Sequence, residues 1–581
     1  MGPGMNPILE QAMRDAREGR LDAALASVRM RVRLQPKDVD ALQVLALLLV
    51  RAGRRDEAIH HLQRAVQLAP AVAAYRNNLG TALLEAGRPQ QAAGLFRSAI
   101  ELDPGYRLAW LGLASACQAQ QDPDGALAAS ERGLAIRPDW PELIGVRAGA
   151  LAALDRIDEA IAALEAGLAV HPTHAALREA YLLNLNYRER PREEVLSAHR
   201  RLASTGAFRP DPPSAGREPG RPLRIGVLSG DLRSHSVGHF AEPIFAGKPG
   251  DAALVVFSTV SPRPADPLER RFRTLADEWV EVAGLDDDAL DAAIRSRRLD
   301  VLLELSGHTA GGRLAALDRK PAPVIVTAIG YPNTTGHPAV DVRLVDAITD
   351  PAGAEAFATE RLVRIDPCFL CFVPPREAPE PRLPPVEAPV TFGSFNLASK
   401  ISPATIALWS GAMAAVPGSR LLLKSRSLGN PGSRTRLLER LAAGGIEPSR
   451  VETIAFTETV AEHLALYARM HVALDTVPYN GATTTCEALW MGVPVVTRAG
   501  DRHAARVGAS LLTAAGCPEL VAGGEAEFAA IAAGLARDRA RLSAFRTEAR
   551  ARLGASPLLD AAGYAARFHA ALRACARGLP C

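Results

Sequence analysis

With 581 residues and 48% hydrophobic content, the chain has material for three or four domains of about 150 residues each. Its 67 basic residues balance 64 acidic ones, and a net charge of +3 gives no general attraction to nucleic acid or to an anionic membrane. Aromatic residues make up 5%, too few for a base-stacking RNA platform.

Residues 1–11 lack the charged-then-apolar pattern of a signal peptide. Gly2 is followed at position 6 by Asn6, which fails the myristoylation pattern. The apolar run 41–50 is broken by Gln43 and is too short to span a bilayer. A cytoplasmic protein with no membrane contact is expected. The seven scattered cysteines read as reduced thiols, and Cys368 and Cys371 form a C-x-x-C with no second pair at zinc spacing.

The first third is periodic. Pro36, Pro70, Pro104, Pro138 and Pro172 are spaced by 34 residues, and Ala24, Ala58, Ala92, Ala126 and Ala160 keep the same period. Gly19, Gly53 and Gly87 share a third register, which lapses to Gln121 and Asp155. Small residues recur at Ala12, Ala46, Gly80, Ala114 and Ala148. Small residues let paired helices approach closely, glycine makes the turn between them, and proline ends the second helix. About five tetratricopeptide (TPR) units are therefore expected over residues 3–172, an α-solenoid with a surface for partners or substrates. Residues 173–205 continue helical and are expected to cap the array. A Pro- and Gly-rich break at 209–222 reads as a linker, set at 206–222.

From Leu223 short β-rich runs alternate with helical stretches. Strands are expected at 223–229, 253–259, 300–306, 323–329 and 342–347. A Pro-rich stretch at 374–389 separates them from a second series at 390–395, 419–424, 451–456, 472–476 and 493–497. The pattern predicts two parallel-sheet, Rossmann-like α/β domains, 223–385 and 386–575, with ligands at the C-terminal strand ends. The run Asp286, Asp287, Asp288 reads as a solvated helix start.

The segment 474–490, LDTVPYNGATTTCEALW, ends a strand, turns at Asn480-Gly481 and opens a helix with Thr483, Thr484 and Thr485. Free backbone N–H groups and hydroxyls at a helix start suit a diphosphate, and Glu487, one turn on, is placed to accept from ribose hydroxyls. The bland reading is threonine capping of the helix. In the segment 393–403, with Asn396, Lys400 stands after a strand and before a helix; an ammonium there can neutralise charge on a departing diphosphate. Lys424 ends the next strand and is a weaker phosphate candidate. In the first half, 228–240 follows the first strand and carries His235 and His239 four apart; histidine can take a hydroxyl proton near neutral pH.

These segments resemble the O-GlcNAc transferase family, as do 456–467 with His463, 306–312 with His308, and 330–336 with Tyr331 and Pro332. The resemblance covers roughly 223–540 plus the array and implies the GT-B glycosyltransferase architecture. It implies that Thr483 and Thr484 hold the diphosphate, Glu487 the ribose, and that His463 lies near the base. Lys400 would stabilise the leaving group, and His235 would stand beside the sugar and acceptor. The His308 and Tyr331 loops would lie on the sugar side. Where animal members have a histidine and a lysine, this chain has Ala482 and Val460, and the domain inserted between the animal catalytic halves is replaced by the short Pro-rich connection. Of the asparagines expected along the array's groove only Asn78 matches, the equivalents being Val44, Gly112 and Val146. The implied reaction is inverting transfer of N-acetylglucosamine from UDP-GlcNAc to protein serine or threonine, with no cofactor and no metal required. Acceptor proteins or peptides are the expected partners, possible occupants of the array's groove. The alternatives are a SPINDLY-type O-fucosyltransferase using GDP-fucose and a non-catalytic TPR scaffold.

Overall fold

The computed structural model describes residues 6–203, 208, 210, 221–385 and 387–578. The start of the chain before Asn6 and nearly all of the expected 206–222 linker lie outside the described residues. The chain divides into two compact units, Met1–Pro172 and Thr173–Cys581.

The first unit is five helix–turn–helix pairs, from Pro7–Arg17 with Leu21–Leu34 to Pro141–Ala153 with Ile157–Val170. Each period-34 proline stands two residues past the end of a second helix, as at Leu34 and Pro36. The turns at Gly19, Gly53 and Gly87 have φ of +84°, +74° and +74°, and Gln121 and Asp155 keep the same left-handed backbone at 59° and 61°. The turn therefore survives where glycine does not, against a steric cost of about 1–2 kcal/mol for a side chain in that conformation. Close approach explains the small residues: a Cβ on Gly80 or Gly112 would lie 2.8 or 2.3 Å from Phe96 Cε1. Phe96 is fully buried. An asparagine at 112 has no room without displacing that ring. Asn78 is exposed and donates to Gln43 Oε1 at 2.7 Å.

The second unit carries two parallel sheets. The first contains β1 (Leu223–Ser229), β2 (Ala252–Ser258), β3 (Glu278–Glu281), β4 (Val301–Glu304), β5 (Val324–Thr327), β6 (Val342–Val345) and β7 (Arg361–Arg364), ordered β3-β2-β1-β4-β5-β6-β7. The second contains β8 (Thr391–Ser394), β9 (Arg420–Lys424), β10 (Val451–Ile454), β11 (Val472–Leu474), β12 (Val495–Arg498) and β13 (Val521–Ala522), ordered β10-β9-β8-β11-β12-β13. All ten expected strands form, mostly shorter than their apolar runs. β3, β7 and β13 were not anticipated: they sit at sheet edges and two of them, EWVE and RLVR, are bounded by charged residues. Strand order reverses between β1 and β4 and again between β8 and β11, which sets the loops after those strands at the two switch points.

Two expected boundaries are corrected. Helices Ala175–Asn184 and Arg192–Leu202 group with the α/β unit. Tyr331 Oη donates to Leu182 O at 3.0 Å, and Arg502 donates to Arg190 O at 2.5 Å. The last helix, Ala561–Ala576, does not stay with the second sheet. It returns to helix Ser236–Ala246 of the first, with His569 Nε2 2.8 Å from Ile244 O and Arg573 paired with Asp251 at 2.7 Å. The two domains are further tied by Asp346, whose Oδ2 accepts from Phe369 N at 2.9 Å and from Ser510 Oγ at 2.5 Å.

Asp286 caps helix Asp287–Ser296 by accepting from Ala289 N at 2.8 Å, as its run of acids suggests. Cys368 and Cys371 are buried free thiols, each pushed up to about 12 by burial, which makes them poor nucleophiles and poor metal ligands. No helix among the described residues is long and apolar enough to cross a membrane.

Candidate active site

The second switch point is organised by a buried carboxylate. Asp475 follows β11, and its Oδ1 accepts from Thr476 N at 2.8 Å and Gly481 N at 2.7 Å, while Oδ2 accepts from Thr497 Oγ1 at 2.7 Å. These bonds curl the loop so that helix Thr483–Trp490 begins beside Asn396, which follows β8. Thr484 Oγ1 donates to Asn396 Oδ1 at 3.0 Å. Gly481 is required there, since a Cβ would lie 2.6 Å from Thr484 Oγ1 and 2.9 Å from Asn396 Oδ1.

The start of this helix is left open. Ala482 occupies the cap position and makes no side-chain cap bond, and the buried Thr483 Oγ1 has no hydrogen-bond partner. The bland reading, threonine capping, is therefore not what the structure holds. The first N–H groups of the helix and the Thr483 hydroxyl thus keep their hydrogen-bonding capacity unspent, the kind of donors that suit an anion. Lys400 stands at its side. Its Nζ donates to Asn480 O at 2.8 Å and lies 3.8 Å from the centre of the Tyr479 ring. Burial pulls the ammonium down to about 8, with the Asp475 charge opposing. Asn480 is itself buried; its side chain donates to Thr476 O at 2.7 Å and accepts from Gly508 N at 3.2 Å. It braces the loop and presents its carbonyl to the lysine.

One helical turn on, Glu487 Oε2 is 2.9 Å from His463 Nε2 and 3.3 Å from Tyr467 Oη. Lys424 Nζ lies 2.9 Å from His463 Nδ1. An ammonium only donates, so Nδ1 accepts and Nε2 carries the proton that Glu487 receives. Phe395 packs at 4.7 Å from the Tyr467 ring and 5.7 Å from His463. The Glu487 carboxylate thus stands beside an aromatic wall of Phe395, Tyr467 and His463.

At the first switch point His235 caps helix Ser236–Ala246, with Nδ1 3.3 Å from Val237 N and 3.5 Å from Asp231 Oδ1. Its ring is exposed, and partial desolvation lowers its pKa against the pull of Asp231. The backbone N–H of His239 donates to His235 O at 3.1 Å. Among the described residues no hydrogen bond or ion pair joins these two histidines to the Lys400 or Thr483 group.

His308 and Tyr331 are packed together in the structure. Both are buried, and Tyr331 Oη is taken up by Leu182 O, Asn186 Nδ2 at 3.2 Å and His199 Nε2 at 2.7 Å. His308 Nε2 bonds Thr335 O at 2.6 Å, its ring packs 5.1 Å from Tyr331, and burial pushes its pKa to about 3. Pro332 is buried beside them. These residues pin two loops under the helices 175–202, and His308 Nδ1 is buried without a hydrogen-bond partner. Asp475, Tyr467 and Tyr479 lay inside motifs that the sequence singled out, but the sequence alone assigned them no role; an acid directly after a strand, and a tyrosine four after His463, were the available signals.

Comparison with known proteins agrees with this layout. Residues 170–373 and 381–568 match the model of Glycosyl transferase family 41, and 44–107 and 83–149 match tetratricopeptide repeat models. The probable UDP-N-acetylglucosamine–peptide N-acetylglucosaminyltransferase SPINDLY of Arabidopsis thaliana is 39% identical over 364 residues, 61% of this chain and 40% of that protein. Its Solanum lycopersicum namesake is 41% identical over 355 residues, 60% of this chain and 38% of the other. The chain thus spans about two fifths of the length of the curated relatives it matches. A solved point mutant of the Thermobaculum terrenum O-GlcNAc transferase is 31% identical with a TM-score of 0.60, covering 98% of this chain and 97% of that one.

Proposed function

The chain belongs to glycosyl transferase family 41, and from that premise we propose that it moves N-acetylglucosamine from UDP-GlcNAc to serine or threonine hydroxyls of proteins, with inversion. One observation carries the reading: the uncapped helix start at Thr483, with its unpartnered hydroxyl, next to the Lys400 ammonium. That is a cradle for a diphosphate on its way out. In the proposed step the acceptor oxygen bonds to the anomeric carbon as the bond from that carbon to the β-phosphate oxygen breaks. The electron pair leaves on UDP, where Lys400 and the helix N–H groups stabilise it, a role that supplies several kcal/mol in related chemistry. The acceptor proton goes to a neutral base, for which His235 is the candidate. No metal is needed in this scheme, because the cation and the helix start carry the leaving-group charge. Thr484, Asn396 and Gly481 shape the cradle, and Glu487 with His463 receives the nucleoside. Acceptor proteins are read as binding the repeat array, and the enzyme as working in the cytoplasm.

A second donor reading has its own support. The SPINDLY relatives are 38–41% identical to this chain, against 28% for the Arabidopsis relative named SEC and 24% for a Caenorhabditis elegans relative. GDP-fucose is carried as the second donor for this SPINDLY-type chain, although the relatives' own names give UDP-N-acetylglucosamine. The test is turnover: purified protein with UDP-GlcNAc or GDP-fucose, with and without cell lysate, followed by nucleotide release and by mass spectrometry of protein-bound sugar, beside Lys400→Ala. UDP release with N-acetylhexosamine on Ser/Thr, lost in the variant, supports the main reading. Turnover of GDP-fucose alone moves the donor, and no turnover of either leaves a scaffold.

A further inference from the structure

One aromatic contact reaches Lys400 from outside both sheets. Leu185–Tyr187 form a tight turn between helices Ala175–Asn184 and Arg192–Leu202. The turn is fastened to the first domain: Asn186 Nδ2 donates to Tyr331 Oη at 3.2 Å, and Asn333 Nδ2 donates to Asn186 Oδ1 at 3.0 Å. Just beyond it the chain is fastened to the second domain, through Glu189 with Arg498 at 3.2 Å and Arg190 O with Arg502 at 2.5 Å. Between these anchors the Tyr187 ring packs on the Tyr479 ring, with centroids 5.3 Å apart and planes tilted by 52°. The ring of Tyr479 in turn lies against Lys400 Nζ.

We propose that Tyr187 is a positioning residue for Lys400, acting through Tyr479 to fix the ammonium beside the diphosphate cradle and to keep water from behind it. The inference rests on the transferase reading of the Lys400 site. Tyr479 sits on a loop, and a loop ring holds a cation in place only if it cannot swing away; Tyr187 removes that freedom. Burial is the largest cause that brings Lys400 down to about 8, and the Tyr187–Tyr479 stack closes the lysine off on the Tyr479 side. The other groups facing the lysine are few. Asp475 is its charged neighbour, and Arg440, from helix Pro431–Ala443, donates to the Ile401 carbonyl. Both tyrosines are pushed up by burial, Tyr187 to about 12, so neither is charged where the lysine titrates.

The chain has five lysines, so reductive ¹³C-methylation gives a simple NMR spectrum in which Lys400 is assigned with Lys400→Arg. Lys400 is expected to titrate near pH 8 in the parent and at least one unit higher in Tyr187→Ala, as water reaches it. The alkaline limb of donor turnover moves up with it, and kcat falls about tenfold with KM little changed, because the lost interaction is made in the transition state. Tyr187→Phe keeps the ring and restores both. A folded Tyr187→Ala whose Lys400 titrates as in the parent overturns the proposal. If that variant does not fold, Tyr479→Leu removes the other ring and must give the same shift, or the proposal falls. The NMR titration needs no turnover, so a parent that consumes no donor defeats the transferase reading while the titration still decides the role of Tyr187.

Discussion

Asp475→Asn separates the two jobs of the buried carboxylate. An asparagine keeps the shape and leaves a carbonyl oxygen for Thr476 N and Gly481 N, but both bonds lose their charge assistance, about 1 kcal/mol each. The new amide nitrogen faces Thr497 Oγ1, whose hydroxyl must turn to accept. The neutral amide is cheaper to bury than the carboxylate, whose pKa burial pushes up, and this offsets part of the loss, leaving about 1 kcal/mol net. The second effect is on Lys400, which loses the one charge that holds its pKa up. If its pKa falls by about one unit from about 8, the protonated fraction at pH 8 drops from about a half to about a tenth, a roughly fivefold loss of rate. At pH 6.5 the loss is small. Donor turnover against pH, with thermal unfolding alongside, reads both. An alkaline limb that stays put or moves upward would refute the reasoning, because it would mean that Asp475 does not act on the lysine.

Other consequences are as direct. Gly481→Ala places a methyl 2.6 Å from Thr484 Oγ1 and should weaken UDP binding at least tenfold in calorimetry while the array is untouched; unchanged affinity would show that the cradle does not hold the nucleotide. Gly53→Ala meets no atom within 4 Å, so its cost is backbone strain alone at φ +74°, about 1–2 kcal/mol in denaturant unfolding of the array; no loss would contradict the left-handed turn. Acid should loosen the α/β unit. Burial lowers His199 to about 4 and His308 to about 3, so both stay neutral when folded, while the unfolded chain takes up protons below about 6.5. Stability is whole above pH 6.5 and falls towards pH 4, by about 3 kcal/mol for each histidine at 1.36 kcal/mol per pH unit. Chemical denaturation at pH 7 and pH 4.5 checks this, and His308→Phe should flatten the dependence.

What could be read in the sequence follows where physics is local. The 34-residue period marked the array because every unit repeats one turn and one helix end. The lapse at Gln121 and Asp155 looked like a fading register, yet the backbone keeps its turn there. Central strands announced themselves as buried apolar runs; β3 and β7, half-exposed and flanked by charge, did not. The return of helix Ala561–Ala576 to the first domain has no local mark, since it depends on Gly247 letting Ala565 come close: a Cβ at 247 would sit 2.4 Å from that of Ala565. His308 and Tyr331 stand in Gly-rich loops at strand ends, the setting of a binding residue. Only the folded chain shows helices 175–202 lying over them. Tyr187 had no motif at all, and its place above Tyr479 is a tertiary fact.

The most direct test of the central claim, that Lys400 and the open helix at Thr483 form a diphosphate cradle, is calorimetric titration with UDP, UMP and uridine, repeated with Lys400→Ala. UDP should bind, affinity should fall stepwise as phosphates are removed, and the variant should lose most of the difference between UDP and uridine. Uridine binding as tightly as UDP, or a Lys400→Ala variant that keeps the full phosphate dependence, would contradict it.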